Sequence, residues 1–367
     1  MTMSWARVCS VVLLVCAFGC EKRAATPQSA GATPTPARAA PVTEAAEVPT
    51  ATAATYRTGI REPKARTPGA LRLASYNVEN LFDEKDDPEL RDDEEDAGNA
   101  KPKEDERALA DTIRRIDADV IAMQEVESYD ALMSFRDRHL AGLGYDHVVS
   151  IEAGRERGIE NSVVSRFPLR DPKVWRDADL GGVHPDFFNG RPNRYAGQPL
   201  TMRGSPLRVT VDVPGADGAS PWALTLFVVH HKSGRGNEYW REAEAKKIIE
   251  LVGDVETEDP ARCIAVLGDF NALPEDESVQ MYLKAGLADI NADRSPGDES
   301  SLTHASGRVI DMILVNRALA ARVVTESRFI LATPQRPAEA DYRTTPTPPG
   351  YASDHSPVVV DLRRAGR

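Results

Sequence analysis

Short apolar runs constrain the fold of this chain more than any other feature of its sequence. Most of them are four to seven residues long and rich in Val, Ile and Leu, which is typical of buried strands. The runs are residues 71–78, 120–123, 163–164, 207–213, 224–229, 263–267, 309–315 and 358–362. Amphipathic helical patterns lie between them, as at Leu109, Ile113 and Ile116. The alternation predicts an α/β fold with enough strands for two sheets.

The first twenty residues have the features of an export signal. Arg7 precedes a mainly apolar stretch that ends at Cys20. The stretch is too short for a permanent membrane span and has the proportions of a signal peptide. The Ala-Phe-Gly-Cys sequence at 17–20 is similar to a bacterial lipobox, in which the cysteine carries lipid. We therefore expect residues 1–20 to be a lipoprotein signal peptide and the protein to be anchored through Cys20 to a bacterial membrane, at the periplasmic or cell surface. Plain secretion is the alternative.

A segment poor in large side chains follows the signal. Alanine, threonine and proline fill 24 of the 32 positions from 24 to 55. Such a stretch has little to bury, so we expect residues 21–69 to be a disordered linker. The linker would then tether one catalytic domain, residues 70–367.

Charge and cysteine content exclude two classes of protein. The chain has 45 basic and 57 acidic side chains, and this net charge of −12 excludes a polybasic nucleic-acid binder. Only Cys263 lies outside the first twenty residues, so a disulfide scaffold is excluded and an inert core thiol is expected. Residues 83–106 hold thirteen of the acids, as a solvated loop or, alternatively, a cation-binding loop.

Polar side chains stand at the carboxyl ends of the predicted strands. Sites of α/β proteins collect at this edge, because the strand is rigid and its end is open to solvent. The residues are Asn77, Glu125, His230 and Asp269. Asp311 lies instead within an apolar run, and a buried carboxylate needs a partner. We predict that His355, in a turn before the last run, is that partner.

Seven motifs, in this order, resemble those of the endonuclease/exonuclease/phosphatase superfamily. They are SYNVEN at 75–80, QE at 124–125, RGIEN at 157–161, VHHKS at 229–233, GDFN at 268–271, VID at 309–311 and SDH at 353–355. The resemblance covers nearly all of residues 71–363. It implies a four-layer α/β sandwich, in which two mixed β-sheets lie face to face and helices flank them. It also implies a hydrolase of phosphate esters that needs a divalent metal.

The resemblance implies which residues hold the metal. Glu125 corresponds to the main metal carboxylate, and Asn77 and Asp354 contribute directly or through water. Oxygen ligands suit Mg²⁺ or Mn²⁺ better than zinc.

The resemblance also implies the catalytic residues. Asp311 orients His355, Asp269 handles the nucleophile or the leaving oxygen, and Asn271 binds the phosphoryl group. The general base is either Asp269 or His355, and the sequence leaves this choice open.

Two adjacent histidines compete for one further role in the family pattern. His230, rather than His231, matches the second histidine of the family, a catalytic residue that also binds substrate. Strand alternation agrees, since His230 shares a face with Val228. Glu160 matches the carboxylate that pairs with this histidine, and we expect that pairing here.

The substrate is the least determined property of the sequence. The loop at 184–195 combines aromatic rings with Arg191 and Arg194, which would bind substrate by stacking and phosphate contacts, unless it is an ordinary surface loop. We expect a monomer that acts on nucleic acid or another phosphodiester outside the cytoplasm. A sphingomyelinase-like or inositol-phosphate phosphoesterase is one alternative, and a non-catalytic cation-binding lipoprotein is another. Endo or exo action stays open.

Overall fold

A computed structural model describes most of the predicted catalytic domain. It covers residues 54–85, 99–153, 157–295 and 297–365. The predicted signal peptide, with Cys20, and the greater part of the predicted linker lie outside the described residues. Among the described helices, none combines the length and the apolar character needed to cross a membrane.

Sixteen strands and five α-helices make up the described part of the chain. The strands are β1 (Leu71–Leu81), β2 (Val120–Val126), β3 (His147–Ser150), β4 (Glu160–Ser165), β5 (Leu169–Lys173), β6 (Asp179–Val183), β7 (Phe187–Phe188), β8 (Arg191–Pro192), β9 (Pro199–Thr201), β10 (Leu207–Val213), β11 (Trp222–His230), β12 (Cys263–Asp269), β13 (Ala288–Asp289), β14 (Asp311–Val315), β15 (Val323–Ile330) and β16 (Val358–Leu362). The helices are α1 (Lys103–Ile116), α2 (Tyr129–His139), α3 (Glu238–Glu258), α4 (Glu277–Lys284) and α5 (Arg317–Ala320).

Twelve of these strands form two six-stranded sheets. The strand order is β15-β16-β1-β2-β4-β3 in the first sheet and β13-β14-β12-β11-β10-β5 in the second. Strands β1 and β2 run parallel in the first sheet, as β11 and β12 do in the second. The other neighbours are antiparallel, so both sheets are mixed.

The two sheets pack face to face because alternate residues of their strands are apolar. Leu71 and Leu73 of β1 belong to the same buried cluster as Leu224 and Leu226 of β11. The outer face of the first sheet packs against α1 and α2, and that of the second sheet against α3 and α4. The four-layer α/β sandwich predicted from the sequence is therefore confirmed. Cys263 is buried in the cluster between the sheets, as expected of a core thiol.

Residues 54–69 belong to the body and not to a disordered linker, which corrects the boundary predicted at residue 70. Thr55 forms a bridge with Gln335, and Ile60 forms one with Leu331. These contacts could not be predicted from the composition of the segment, because most of the residues that it contacts are polar. Arg66, for example, is paired with the carboxylates of Asp117 and Asp119.

The acidic segment at 83–106 is described only at its two ends. Residues 103–106 form the first turn of α1, where acidic side chains interact favourably with the positive end of the helix. Glu106 is buried there, 3.2 Å from Arg138 Nη1. This end of the segment is helical and not a loop, while residues 86–98 lie outside the described residues.

Candidate active site

The carboxyl ends of the two parallel strand pairs meet at one edge of the sandwich. Asn77 at the end of the β1 pairing stands opposite Gln124, and His230 of β11 stands opposite Asp269 of β12. Antiparallel β14 then places Asp311 opposite Asp269. Asn77 Nδ2, from the first sheet, lies 3.2 Å from Asp269 Oδ2, from the second. The site is thus assembled from both sheets.

A glycine permits the close approach of the two central strands of the second sheet. Gly268 has φ 145°, and a Cβ added to it would lie 1.9 Å from the carbonyl oxygen of Val229. Only glycine fits there. The contact sits beside the paired residues His230 and Asp269, so it fixes their separation.

His355 is held by Asp311, as the sequence predicted. Its Nδ1 lies 2.9 Å from Asp311 Oδ2, and its Nε2 faces Asp269 Oδ2 at 3.9 Å and Asp354 Oδ1 at 3.7 Å. Burial lowers the pKa of His355, but the surrounding carboxylates raise that pKa by more, to well above its usual value. These carboxylates therefore favour the protonated form of the imidazole.

Asp269 Oδ2 is the atom on which the polar groups of the site converge. It accepts hydrogen bonds from Asn77 Nδ2 at 3.2 Å and Asn271 Nδ2 at 3.1 Å, and His230 Nε2 lies 3.7 Å away. Burial raises the pKa of Asp269, and the nearby charge of His355 only partly opposes it, so that the pKa is about 7. Such a carboxyl group can take up and release a proton near neutrality.

Glu125 is turned towards the same cluster by an unusual backbone conformation. Its φ is 63°, a left-handed value that non-glycine residues adopt at a cost and mostly at functional sites. Its Oε1 accepts a hydrogen bond from Asn77 Nδ2 at 3.3 Å, and its Oε2 accepts one from the Asn80 N–H at 3.1 Å. His230 Nε2 and Arg157 Nη1 lie 3.7 and 3.8 Å from Oε1.

Glu79 is a further carboxylate of the site, and its role was not predicted from the sequence. Its Oε2 accepts hydrogen bonds from the Asp354 N–H at 3.0 Å and from Tyr351 Oη at 2.6 Å. Burial and the charge of Asp354 raise the pKa of Glu79 to about 7. Its position two residues after Asn77 was a signal, because alternate residues of a strand share a face. The signal is weak, since Glu79 itself has a left-handed φ of 50°.

The residues present fit a hard divalent cation. Glu79, Glu125 and Asp354 offer carboxylate oxygens, which Mg²⁺ and Mn²⁺ prefer. Asn77 turns its Nδ2 towards Glu125, and its Oδ1 accepts a hydrogen bond from the Glu79 N–H at 3.0 Å. Burial is the largest cause of the raised pKa of Glu79, and repulsion by the Asp354 carboxylate adds to it; a cation would relieve that repulsion. Asn77 donates a hydrogen bond to the Glu125 carboxylate, and the Asp354 N–H donates one to the Glu79 carboxylate. One shared ligand set of Asn77, Glu125 and Asp354 stays a prediction.

The two adjacent histidines lie in different surroundings. His230 faces the cluster, whereas His231 is buried with its ring nitrogens 3.0 Å from Glu244 Oε2 and 3.0 Å from Tyr282 Oη. This placement agrees with the choice of His230. Glu160 is buried in β4, and its pairing with His230 stays a prediction.

The segment at 184–195 folds as a hairpin of β7 and β8. His184 anchors it, with Nδ1 2.9 Å from Tyr239 Oη. Arg191 is exposed, and the guanidinium of Arg194 lies 4.6 Å from the centre of the Tyr195 ring. Their contact with substrate stays a prediction.

Comparison with known proteins identifies the family. The model of the Endonuclease/Exonuclease/phosphatase family matches residues 74–355. None of the curated proteins compared with the chain matches it.

The catalytic domain of human Nocturnin with bound sulfate superposes with a TM-score of 0.51 and 15% identity, over 84% of this chain and 96% of that chain. ANGEL2, a 2′,3′-cyclic phosphatase in complex with adenosine-2′,3′-vanadate, gives a TM-score of 0.51 and 14% identity, over 83% and 99%. These two structures share the fold, and the family model spans most of the sequence. The chain therefore belongs to the endonuclease/exonuclease/phosphatase family of divalent-metal-dependent hydrolases of phosphate ester bonds.

Proposed function

We propose that the protein is a monomeric, Mg²⁺- or Mn²⁺-dependent phosphodiesterase that cleaves nucleic acid outside the cytoplasm. The observation that carries the choice of substrate is a pair of cation-lined cavities next to the reaction centre. The chain as a whole is acidic, with a net charge of −12. A local concentration of basic side chains in such a chain favours a polyanionic substrate at that place.

The first cavity opens beside His230. Its volume is about 110 Å³, and its walls include Arg157, Arg203 and Lys232. Its position next to a residue of the reaction centre suits the phosphate that neighbours the scissile one.

The second cavity opens beside Asn271. Its volume is about 670 Å³, and its walls include three basic and two acidic side chains, namely Arg235, Arg241, Arg308, Glu238 and Asp276. Arg241 Nη2 lies 3.4 Å from Glu238 Oε1. A polynucleotide carries phosphates on both sides of the scissile bond, so it would use both cavities. A small phosphomonoester would use neither.

The proposed reaction uses Asp269 and His355 in different protonation states. Asp269, with a pKa of about 7, takes the proton of the attacking water while the new phosphorus–oxygen bond forms. Asp311 and the other carboxylates raise the pKa of His355 and so favour its protonated form, in which Nε2–H can donate to a phosphoryl oxygen. The bond to the leaving oxygen then breaks, and the leaving oxygen takes up a proton from the solvent. In this proposal Asp269 is the general base, and His355 is not.

His230 and Asn271 complete the binding of the phosphoryl group in this proposal. Both stand within reach of Asp269 Oδ2 and present nitrogen atoms towards the same point. A divalent cation held by Glu79, Glu125 and Asp354 would polarise a phosphoryl oxygen and offset the developing negative charge.

Hydrolysis of four substrates by the full-length protein tests the proposal. The substrates are plasmid DNA, an RNA oligonucleotide, bis-p-nitrophenyl phosphate and sphingomyelin vesicles, each with Mg²⁺ and with or without chelator. We expect DNA or RNA cleavage that the chelator stops and that Mg²⁺ or Mn²⁺ restores. Asp269→Asn is the matched control for contaminating nuclease. Cleavage of sphingomyelin alone would contradict the proposal.

The exposed arginines of the hairpin provide a second test. Replacement of Arg191 and Arg194 by alanine is expected to raise KM for DNA and to leave KM for bis-p-nitrophenyl phosphate nearly unchanged. DNA cleavage should also decline as salt rises, because screening weakens contacts with phosphates. Equal losses on both substrates would show that the hairpin does not bind DNA.

A lipid phosphodiester is a second candidate because two apolar side chains at 183–188 are exposed. Phe187 is 66% exposed and Val183 is 59% exposed. Exposed apolar side chains of this kind can insert into a membrane surface. The sphingomyelin arm of the experiment decides between the two substrates.

We also propose that the protein is a lipoprotein anchored through Cys20. The lipobox-like sequence before this residue supports the proposal. Fractionation of cells that produce the wild type or Cys20→Ser is the test. The wild type should be in the membrane fraction and Cys20→Ser in the soluble fraction or as uncleaved precursor; equal distributions would contradict lipid anchoring.

A further inference from the structure

His304 lies at the active site although it belongs to none of the seven sequence motifs. Its Nε2 is 3.2 Å from Asp354 Oδ2, and its ring meets that of His355 edge to face, with centroids 4.6 Å apart. Backbone bonds hold the two segments together, since the Ala305 N–H donates to the Asp354 carbonyl at 2.8 Å. The side chain is 15% exposed. His304 therefore contacts a carboxylate that the proposed function gives to the cation.

The hydrogen bonds on the other side of the ring decide which nitrogen of His304 carries the proton. The Ser306 N–H donates to His304 Nδ1 at 3.0 Å. Ser306 Oγ lies 2.7 Å from the same nitrogen and itself accepts from Arg308 Nε at 2.7 Å. A ring nitrogen that accepts a backbone N–H has no proton, so the neutral ring is protonated at Nε2. His304 Nε2–H thus donates to Asp354 Oδ2.

This tautomer argues against a direct role of His304 as a metal ligand. His304, Asp354 and His355 offer three ligand atoms within 4.8 Å of one another. A cation on His304 Nε2 would have to displace the proton from that nitrogen, while Nδ1 already serves as an acceptor. Histidine ligands ordinarily donate through their second nitrogen, which His304 does not do. The geometry suits a residue that holds a ligand, not one that is a ligand.

We propose that His304 is a positioning residue that fixes Asp354 Oδ2 and leaves Oδ1 for the cation, and that it thereby favours Mg²⁺ over Ca²⁺. The inference rests on the proposed role of Asp354 in metal binding. Mg²⁺ demands strict octahedral geometry and few protein ligands, whereas Ca²⁺ accepts six to eight oxygens and both oxygens of one carboxylate. A carboxylate with one oxygen already engaged by a hydrogen bond is a poorer partner for Ca²⁺.

Calorimetric titration of the full-length protein with MgCl₂ and, separately, with CaCl₂ tests the inference. The variants are His304→Gln and His304→Met, which have side chains of similar size. Gln can donate a hydrogen bond from a position close to that of Nε2, whereas Met cannot. Loss of a residue that orients a ligand typically weakens metal binding about 10–100-fold. We expect His304→Met to lose about tenfold or more in Mg²⁺ affinity and clearly less in Ca²⁺ affinity, and His304→Gln to keep most of both.

Two reference variants separate the possible failures. His139→Met removes a histidine–carboxylate contact of the same 3.2 Å length, to Glu106 on α1, and should leave both metal affinities unchanged. Glu125→Gln should weaken Mg²⁺ binding in any case. If Glu125→Gln binds Mg²⁺ as the wild type does, the proposed metal site itself fails. If Glu125→Gln is weakened but His304→Met is not, only the inference about His304 fails.

Three further results overturn the inference. Equal loss of Mg²⁺ and Ca²⁺ affinity in His304→Met excludes a role in selectivity. Loss in His304→Gln as large as in His304→Met would mean that the ring nitrogen binds the cation directly. A loss in His139→Met would mean that metal affinity merely follows stability.

Discussion

Asp311 raises the pKa of both Asp269 and His355, with opposite effects on their charges. Nearby carboxylates stabilise the protonated imidazole of His355, and together with burial they destabilise the negative charge of Asp269. The charged form of the His355 imidazole is therefore favoured, whereas the Asp269 carboxyl group, with a pKa of about 7, exchanges its proton near neutral pH. Acid and base roles are often divided between two residues in this manner, because their surroundings shift the two pKa values in directions that suit those roles.

Replacement of His355 by Gln tests its role at the level of the single residue. We expect kcat on bis-p-nitrophenyl phosphate to fall by about 10²–10⁴-fold, the typical contribution of a proton-transferring group. The melting temperature should also fall, since Asp311 is left buried beside a neutral side chain. His139→Gln, far from the cluster, is the matched control. A folded His355→Gln protein, as judged by circular dichroism, with wild-type kcat would contradict the assignment.

The raised pKa of Glu79 predicts that metal binding depends on pH. Glu79 takes up a proton as the pH falls through about 7, so the site loses a negative charge and holds a cation less well. We expect Mg²⁺ to bind about tenfold more weakly at pH 6 than at pH 8, because the proton competes with the metal. Calorimetry at the two pH values measures the difference.

Glu79→Gln separates this effect from the other carboxylates. The variant cannot take up the proton, so its Mg²⁺ affinity should be lower at pH 8 and should change less with pH. A pH dependence as steep as that of the wild type would assign the titration to another group.

At the scale of secondary-structure elements, the long apolar strands were predictable and the polar ones were not. The runs at 71–78 and 263–267 correspond to β1 and β12, which are buried throughout apart from the end of β1. Strand β15 was not predicted, because half of its side chains are polar and several are exposed. Apolar alternation detects only strands whose side chains face a core.

The residues of the site also divide into those that could be predicted from the sequence and those that could not. Asp311 and His355 could be paired from sequence, since a carboxylate in an apolar strand requires a partner. Glu79 and His304 could not be assigned, since both owe their places to irregular backbone. Glu79 lies in a left-handed conformation, and His304 lies in a turn whose hydrogen bonds depend on the folded loop.

The approach of β11 to β12 is expected to depend on Gly268. In Gly268→Ala the new methyl group would meet the Val229 carbonyl at 1.9 Å, so the strands must separate. We expect a loss of roughly 1–3 kcal/mol in the free energy of unfolding, the range for overpacked cores. Activity should fall as well, because His230 and Asp269 face each other across the same pair of strands.

A second glycine provides the control for this substitution. Gly253 lies in α3, and nothing is found within 4 Å of a Cβ added there. Gly253→Ala should therefore stabilise the protein by about 0.5–1 kcal/mol through helix propensity. Urea unfolding of both variants gives the comparison, and equal effects would mean that Gly268 has no special role.

At the scale of the whole molecule, residues 54–69 contact the parts of the chain that adjoin β15 and β16, at one edge of the first sheet. Thr58 Oγ1 lies 2.6 Å from Ser356 Oγ, next to His355. The bridges at Thr55 and Ile60 continue this contact along residues 331–335. The segment is therefore part of the support of the active site.

Two N-terminal truncations test where the domain begins. A protein that starts at Ala54 should unfold at the same urea concentration as the full chain. A protein that starts at Ala70 should lose roughly 2–4 kcal/mol, because it lacks several hydrogen bonds worth about 1 kcal/mol each. It should also lose activity, since Ser356 loses a partner beside His355. Equal stability of the two proteins would mean that the folded domain begins at residue 70, as predicted from the sequence.

The position of β16 has a consequence for the order of events during synthesis. It is the last strand of the described chain, yet it lies inside the first sheet, between β15 and β1. Its partner β1 leaves the ribosome almost three hundred residues earlier, as the pairing of Leu71 with Leu362 shows. Until β16 arrives, β1 lacks one neighbour, and His355, a few residues before β16, is also missing. A nascent chain that has not yet released this C-terminal segment therefore lacks both the completed first sheet and a residue of the reaction centre.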